Sequence, residues 1–266
     1  MKYNTNIIDL TNFNNDLLCF CGDIHGEFKT FLYEVKRRQI TNAIIFICGD
    51  IGMGFNKPKY YENELGKISK ILKKLNNIVL CIRGNHDDPA WFKYTKQYSD
   101  SLAFYYPNWV FVNDYDIIKT KFGNILCIGG ARSIDKMIRI PNKTWWEDEN
   151  IIPITGETLL DINKRCNNID IVVSHTAPDI CDPQIKSNLY EWSKIDPDVI
   201  DDCDKERKQL THVYNELIKY HNIKFWFYGH FHDSYYTFVA TSNKDTAFYG
   251  LGIMEFKEAI INNENK

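Results

Sequence analysis

Three apolar runs lie near the start of this chain, LLCFC (17–21), AIIFIC (43–48) and IVLCI (78–82); the first two break off at a glycine and the third at Arg83, one residue before a glycine. Each is then followed by a helical pattern: GEFKTFLYEVKRRQ, YYENELGKISKILKKLN and DDPAWFKYTKQY. This alternation limits the fold more than any other feature. Short runs with no polar alternation fit strands buried on both faces. Helices between them predict parallel strands joined by crossovers. From about residue 109 the spacing tightens, and WVFV, YDIIKT and NILCIGG predict a second, more antiparallel sheet. DIVVS (170–174) and KFWFY (224–228) read as buried strands again, with YYTFVATS, TAFYG and IMEFKE as a closing meander. The connections 133–168 and 179–222 read as insertions, the second carrying a helix around DKERKQLTHVYNELIKYHN. The expected fold is a single α/β domain over residues 1–266, an α+β sandwich of two mixed β-sheets packed face to face with flanking helices.

The composition agrees with this. A chain of 266 residues can bury one substantial core, and 44% hydrophobic with 25% charged residues is ordinary for a globular domain. The net charge of −3 gives no basic excess, so nucleic acid is not indicated as a general partner and only local basic clusters would serve one. No apolar stretch approaches the roughly 20 residues that span a bilayer. MKYNTNIIDLTNFNNDLL lacks the basic start and apolar run of a signal peptide. Of eight cysteines, Cys19, Cys21, Cys48, Cys81 and Cys127 lie in the apolar runs, where a free thiol acts as a small hydrophobe. No C-x-x-C occurs, and the expectation is a reduced, cytoplasmic protein.

The residues just after each glycine carry the chemistry. GDIHG (22–26) offers Asp23 and His25, GDIG (49–52) offers Asp50, and GNHDD (84–88) offers Asn85, His86 and Asp87. SHTAP (174–178) adds His175 after a fourth strand, and FYGHFH (227–232) adds His230 and His232. In an extended segment residues i and i+2 share a face, so the last two imidazoles are expected to look into one pocket. His212 and His221 fall on the predicted helix and read as solvated. A single GD after a strand is a common turn. Five polar groups at strand ends, all at one sheet edge, would leave many buried donors and acceptors without partners unless a cation supplies them. Carboxylate, imidazole and amide oxygen without thiolate suit Mn, Fe, Zn or Mg.

The order GDIHG … GD … GNHD … H … GHFH resembles the calcineurin-like metallophosphoesterase superfamily across residues 22–232. The resemblance implies the four-layer architecture of that fold and two divalent metal ions, Mn first, with Fe, Zn, Ni or Mg as alternatives. It implies that Asp50 bridges the metals, that Asp23, His25 and His232 complete one site, and that Asn85, His175 and His230 complete the other. His86 is then the residue that contacts the phosphoryl group or protonates the leaving oxygen, oriented by Asp87. The implied reaction is in-line attack of a metal-bridging hydroxide on a phosphate ester. A phosphomonoester is favoured, with a phosphodiesterase or nuclease as the enzymatic alternative and a non-catalytic metal-binding scaffold as the alternative of another class.

The chain departs from the protein-phosphatase pattern, in which the second motif reads GD-x-x-DRG. Here it is GDIGMGF, without the arginine. Arg83, just before GNHDD, is either a phosphate contact or a tie to an acid behind the site. GGARSIDKMIR (129–139) concentrates Arg132, Lys136 and Arg139, and Arg132 is the first expectation for a phosphate grip because guanidinium binds phosphate in a fork. Trp145 and Trp146 of TWWEDE are expected either to wall the pocket or to pack beneath the loop.

Overall fold

The computed structural model describes residues 5–93, 108–181, 188–241 and 244–259. Two sheets face each other, with helices outside both. The first has five strands in the order β12–β2–β3–β4–β5: Phe256–Glu258, Leu17–Cys21, Ala43–Ile47, Ile78–Cys81 and Trp109–Phe111. The second has seven, β1–β6–β7–β8–β9–β11–β10: Ile7–Asp9, Ile117–Thr120, Gly123–Ile128, Ile171–Ser174, Phe225–Tyr228, Asp245–Gly250 and Tyr235–Ala240. The helices are α1 (Phe28–Arg37), α2 (Pro58–Lys74), α3 (Ala90–Lys93), α4 (Gly156–Arg165), α5 (Asn188–Ser193) and α6 (Val199–Leu217). The remainder of the helix expected over DDPAWFKYTKQY lies outside the described residues.

Period-two packing explains why the strands look uniformly apolar. In β2, Leu18 and Phe20 point between the sheets, while Cys19 and Cys21 point outward under α1 and α2. The central layer joins both sheets, with Phe20 stacked on Phe227 at 3.8 Å between ring centroids. A third apolar layer lies between the seven-stranded sheet and α4 and α6, through Ile162, Leu210, Val213, Tyr214 and Leu217. Local signals set the helix starts. Pro58 occupies the first turn of α2, and Thr155 caps α4 by accepting from the Thr158 N–H at 3.1 Å. All eight cysteines are free, and among the described residues no helix is long and apolar enough to cross a membrane.

Three expectations about the sheets are corrected. WVFV does not open the second sheet: β5 pairs parallel with β4 and extends the first. The closing strands are not one meander, because only β10 and β11 form a hairpin, and β12 crosses over to pair antiparallel with β2. The second sheet is itself mainly parallel, with antiparallel pairs only at β6–β7 and β10–β11. Pairing partners are chosen by non-local burial, which strand patterns alone do not encode. His221 is likewise not a solvated helical residue. It lies beyond α6, 1% exposed, and its ring is shielded from water, whereas His212 is exposed.

Candidate active site

The ends of β2, β3, β4, β8 and β9 bring their polar residues to one edge. Asp23, His25, Asp50 and His232 each place a ligand atom within 4.8 Å of the others. Asn85 lies beside them, its Oδ1 3.0 Å from both His175 Nε2 and His230 Nδ1, and His175 Nε2 is 3.2 Å from Asp50 Oδ1. All seven ligand-type side chains of the sequence motifs therefore meet, in two groups that share Asp50.

The loops are laced together through backbone. The Asp50 carbonyl accepts the Ile24 and His25 N–H groups, and Asp23 Oδ1 accepts the N–H of His230 at 3.0 Å. Such close approach requires glycine at the strand ends. A Cβ on Gly84 would sit 2.1 Å from Asp50 Oδ1, and one on Gly229 would sit 2.1 Å from Asp23 Oδ1. His25, Asp50, His230 and His232 all have positive φ, between 45° and 68°. Non-glycine residues hold that conformation only where surrounding structure enforces it, typically at functional sites. The expectation of an extended segment at His230 and His232 is thus corrected: β9 ends at Tyr228, and two left-handed turns aim the imidazoles.

The residues fit a pair of cations. Asp23 Oδ2 is buried and receives no hydrogen bond, with His232 Nε2 3.1 Å away. His25 Nε2 and His232 Nε2 face each other at 3.0 Å, an approach that a shared proton or a shared cation relieves. His175 donates Nδ1–H to the Cys48 carbonyl at 2.7 Å, which turns its Nε2 lone pair to the cluster, as in metal-ligating histidines. Asn85 is steadied through Ser133, which accepts its Nδ2–H at 3.1 Å and is itself held by the buried Glu149. Sequence reading missed Ser133 and Glu149, and their only signal was an acid inside the apolar-flanked TWWEDE.

Burial and mutual charge shift the titratable groups of the cluster in opposite directions. Burial alone would raise the Asp50 carboxyl, but the charge of His175 and then His86 holds it well below the usual range. His175 is pushed up to about 10, against its burial, chiefly by Asp50. Burial and His175 together drive His230 well below an ordinary histidine. Asp87 is raised to about 7 by burial and by Asp50. Its oxygens accept four backbone N–H groups, from Ile51, Gly52, Met53 and Gly84. Asp87 therefore fixes the loop that bears the site rather than the His86 ring, which corrects the role expected for it.

His86 is half-buried beside His25, at 5.1 Å between ring centroids, and against the guanidinium of Arg139. The Arg139 Nη2 is 2.6 Å from His86 Nε2, and Asp135 steadies the guanidinium at 2.6 Å from Nε. Of the four cations singled out in the sequence, Arg139 is the one at the site. Arg132 is buried and turned away, with Asp196 at 2.8 Å and Asp202 at 3.1 Å, and Lys136 joins Asp196 at 3.4 Å. Arg83 is the tie to an acid and not a phosphate contact: its guanidinium pairs with Asp114 at 2.9 Å and donates to the carbonyls of Asp148, Glu149 and Asn150. Buried acids hold these two guanidinium groups more strongly than an exposed site would. Trp146 is buried edge-on against Phe55, and neither it nor Trp145 lines the cavity beside the cluster. That cavity, of about 380 Å³, is lined instead by Trp192 together with Asp50, Asn85, His86, Arg139 and His230.

A family model for calcineurin-like phosphoesterases matches residues 17–234. The chain belongs to that family. It is accordingly a metal-dependent phosphoesterase, of a family that works with a dinuclear metal centre. Protein TT1561 of Thermus thermophilus has a similar fold, with a TM-score of 0.51 and 13% identity over 93% of this chain and 100% of that one. A second solved structure aligns at TM-score 0.54 and 12% identity, over 91% of this chain and 94% of its own. A dimetal phosphatase from Danio rerio aligns at 0.45 and 11% identity, over 91% and 89%. No curated protein matches the sequence.

Proposed function

We propose that this phosphoesterase hydrolyses a small phosphomonoester, with Asp23, His25, Asp50 and His232 holding one divalent cation and Asp50, Asn85, His175 and His230 the other. The observation that carries the reading is the convergence of these seven side chains beside His86 and Arg139 at the mouth of one cavity. The cations, Mn first by the oxygen and nitrogen donor set, would activate water and neutralise phosphate oxygens. Arg139 takes the part of the arginine absent from GDIGMGF: the donors now resting on His86 turn to a phosphoryl oxygen when substrate enters. The His86 Nε2 that accepts from Arg139 is then free to take up a proton, which burial and Arg139 both disfavour beforehand, and to deliver it to the leaving oxygen. Asp87 keeps the loops of Asp50 and Asn85 in register throughout. A cavity of about 380 Å³ supports a small ester over a nucleic-acid strand. The free thiols support an intracellular setting, and the continuous packing supports one domain.

Hydrolysis by the purified protein with added Mn²⁺ tests this. The panel compares a nitrophenyl monoester, a bis-nitrophenyl diester, phosphopeptides, nucleotides and single-stranded nucleic acid. Faster turnover of the diester or the nucleic acid would replace the monoester reading with the phosphodiesterase one. His86→Ala should retain metal and lose about 100-fold or more on alkyl phosphates, but less on nitrophenyl phosphate, whose leaving group needs little protonation. Equal losses on both would remove the proton-donor role.

A further inference from the structure

Asn85 turns its carbonyl oxygen to His175 Nε2 and His230 Nδ1, yet an amide fits the same space either way round. With its NH₂ group turned to the imidazoles it could not ligate a cation. The choice is made behind the site, by a count of protons. Asn85 Nδ2 faces Ser133 Oγ at 3.1 Å, and that oxygen also faces Glu149 Oε2 at 2.6 Å. A serine hydroxyl has one proton to give, and a carboxylate has none. The proton therefore lies toward Glu149, and Ser133 Oγ can only accept from Asn85. The group that Asn85 turns to it must be the NH₂, which sends the carbonyl oxygen to the imidazoles. Backbone anchors this direction: Glu149 Oε1 accepts the Ser133 N–H at 2.8 Å, and a backbone N–H cannot reverse. The Glu149 carbonyl is pinned in turn by Arg83 Nη1 at 2.7 Å and by the Ala131 N–H at 3.1 Å. Ser133 and Glu149 are both buried, so bulk water does not compete for these bonds.

We propose that Glu149 and Ser133 are positioning residues that set the polarity of the Asn85 amide and so make Asn85 an oxygen ligand. The inference rests on the reading of Asn85 as a ligand of one of two cations, and adds what selects its donor atom. If Glu149 only filled space, a side chain of equal shape would serve as well. The relay predicts the opposite for Glu149→Gln, which keeps nearly the same shape. The amide oxygen of that variant must stay on the Ser133 N–H, so its NH₂ group meets Ser133 Oγ. The hydroxyl proton then has only Asn85, among the partners of Ser133 Oγ, left to accept it. Asn85 accepts it by turning its oxygen to Ser133 and its NH₂ group to the imidazoles, where a cation finds no lone pair.

Titration of the full chain with Mn²⁺, followed by the paramagnetic resonance of the free ion, measures both sites. It is done above pH 7, where the Glu149 carboxyl, raised to about 7 by burial, is ionised. Glu149→Gln and Ser133→Ala should each weaken one of the two sites by about 10- to 100-fold and leave the other unchanged. Exchanging the acid and the amide gives the sharper comparison. The carboxylate of Asn85→Asp presents oxygen either way round and accepts the Ser133 proton. Asn85→Asp should therefore tighten the weakened site far more in the Glu149→Gln background than in the wild type. In the wild type it sets two oxygens against each other with no proton between them. Poor packing at position 149 is not repaired by a change at position 85. Equal gains in both backgrounds, equal weakening of both sites, or unchanged affinities in Glu149→Gln each overturn the relay and leave the metal reading intact. If the wild type binds no Mn²⁺, that reading fails. Exchange of the Asn85 side-chain amide protons, followed by NMR, then decides the relay: slower exchange in wild type than in Ser133→Ala supports it, and equal rates overturn it.

Discussion

The two sides of the cavity are built in opposite ways. On the metal side, five short loops leave five strand ends, and backbone groups hold them: the Asp50 carbonyl, the four N–H groups on Asp87 and the left-handed turns at His25, Asp50, His230 and His232. On the insertion side, Arg132 and Lys136 are tied by side-chain charge to Asp196, between α5 and α6, and Arg132 also to Asp202 of α6. Backbone lacing fixes ligand atoms to the tolerance that metal chemistry needs. The charge ties instead join two long connections to each other. Variants on the metal side should therefore change chemistry, and variants of the charge ties should change stability.

The largest effect belongs to Asp50, shared by both ligand groups. Asp50→Asn should lower kcat/KM by about 1,000-fold or more and reduce bound metal in elemental analysis, since the metals supply several kcal/mol of charge stabilisation. A variant with full metal and near-normal rate would contradict the division between the two sides at its centre. Next comes Arg132→Ala, which leaves the buried Asp196 with Lys136 alone and costs about 3 kcal/mol in urea unfolding, the low end for a broken buried pair. Metal content should stay unchanged, and loss of metal would show that the two sides are not independent.

Glu206 gives a pH test of the insertion side. Burial raises its carboxyl from 4.5 to about 7. A group whose folded pKa is raised contributes stability that is complete below pH 4.5 and lost as pH climbs through about 7. Relative to wild type, Glu206→Gln should gain roughly 2 kcal/mol between pH 5 and pH 7 in unfolding experiments on metal-free protein. A pH-independent difference would mean that Glu206 is already ionised in the fold. The smallest effect expected is that of Arg139→Ala, a loss of about 1–2 kcal/mol in kcat/KM from one charged hydrogen bond, with metal content and Tm unchanged. If Arg132→Ala instead produced that kinetic signature, the roles given to the two arginines would be exchanged.

Strand ends and ligand types were legible in the residues alone. Apolar runs that stop at glycine mark where a chain leaves a buried sheet, and a polar residue there has no choice but to lie at the sheet edge, so Asp23, His25, Asp50, Asn85, His175, His230 and His232 could be read one by one. Local signals also sufficed for α1, α2 and the helix that includes 204–217. Folding in three dimensions settled whatever depends on partners far apart in sequence. It sent β12 to β2 rather than to β11. It gave Arg132 to acids some 64 residues away and left Arg139, four residues from Asp135, in reach of His86. It also set Trp192 rather than Trp145 in the cavity wall. The physical reason is the same in each case. Burial against a strand is written in the residue itself, whereas the choice among several cations or aromatics of like chemistry depends on which buried acid or apolar surface the folded chain brings within a few ångströms.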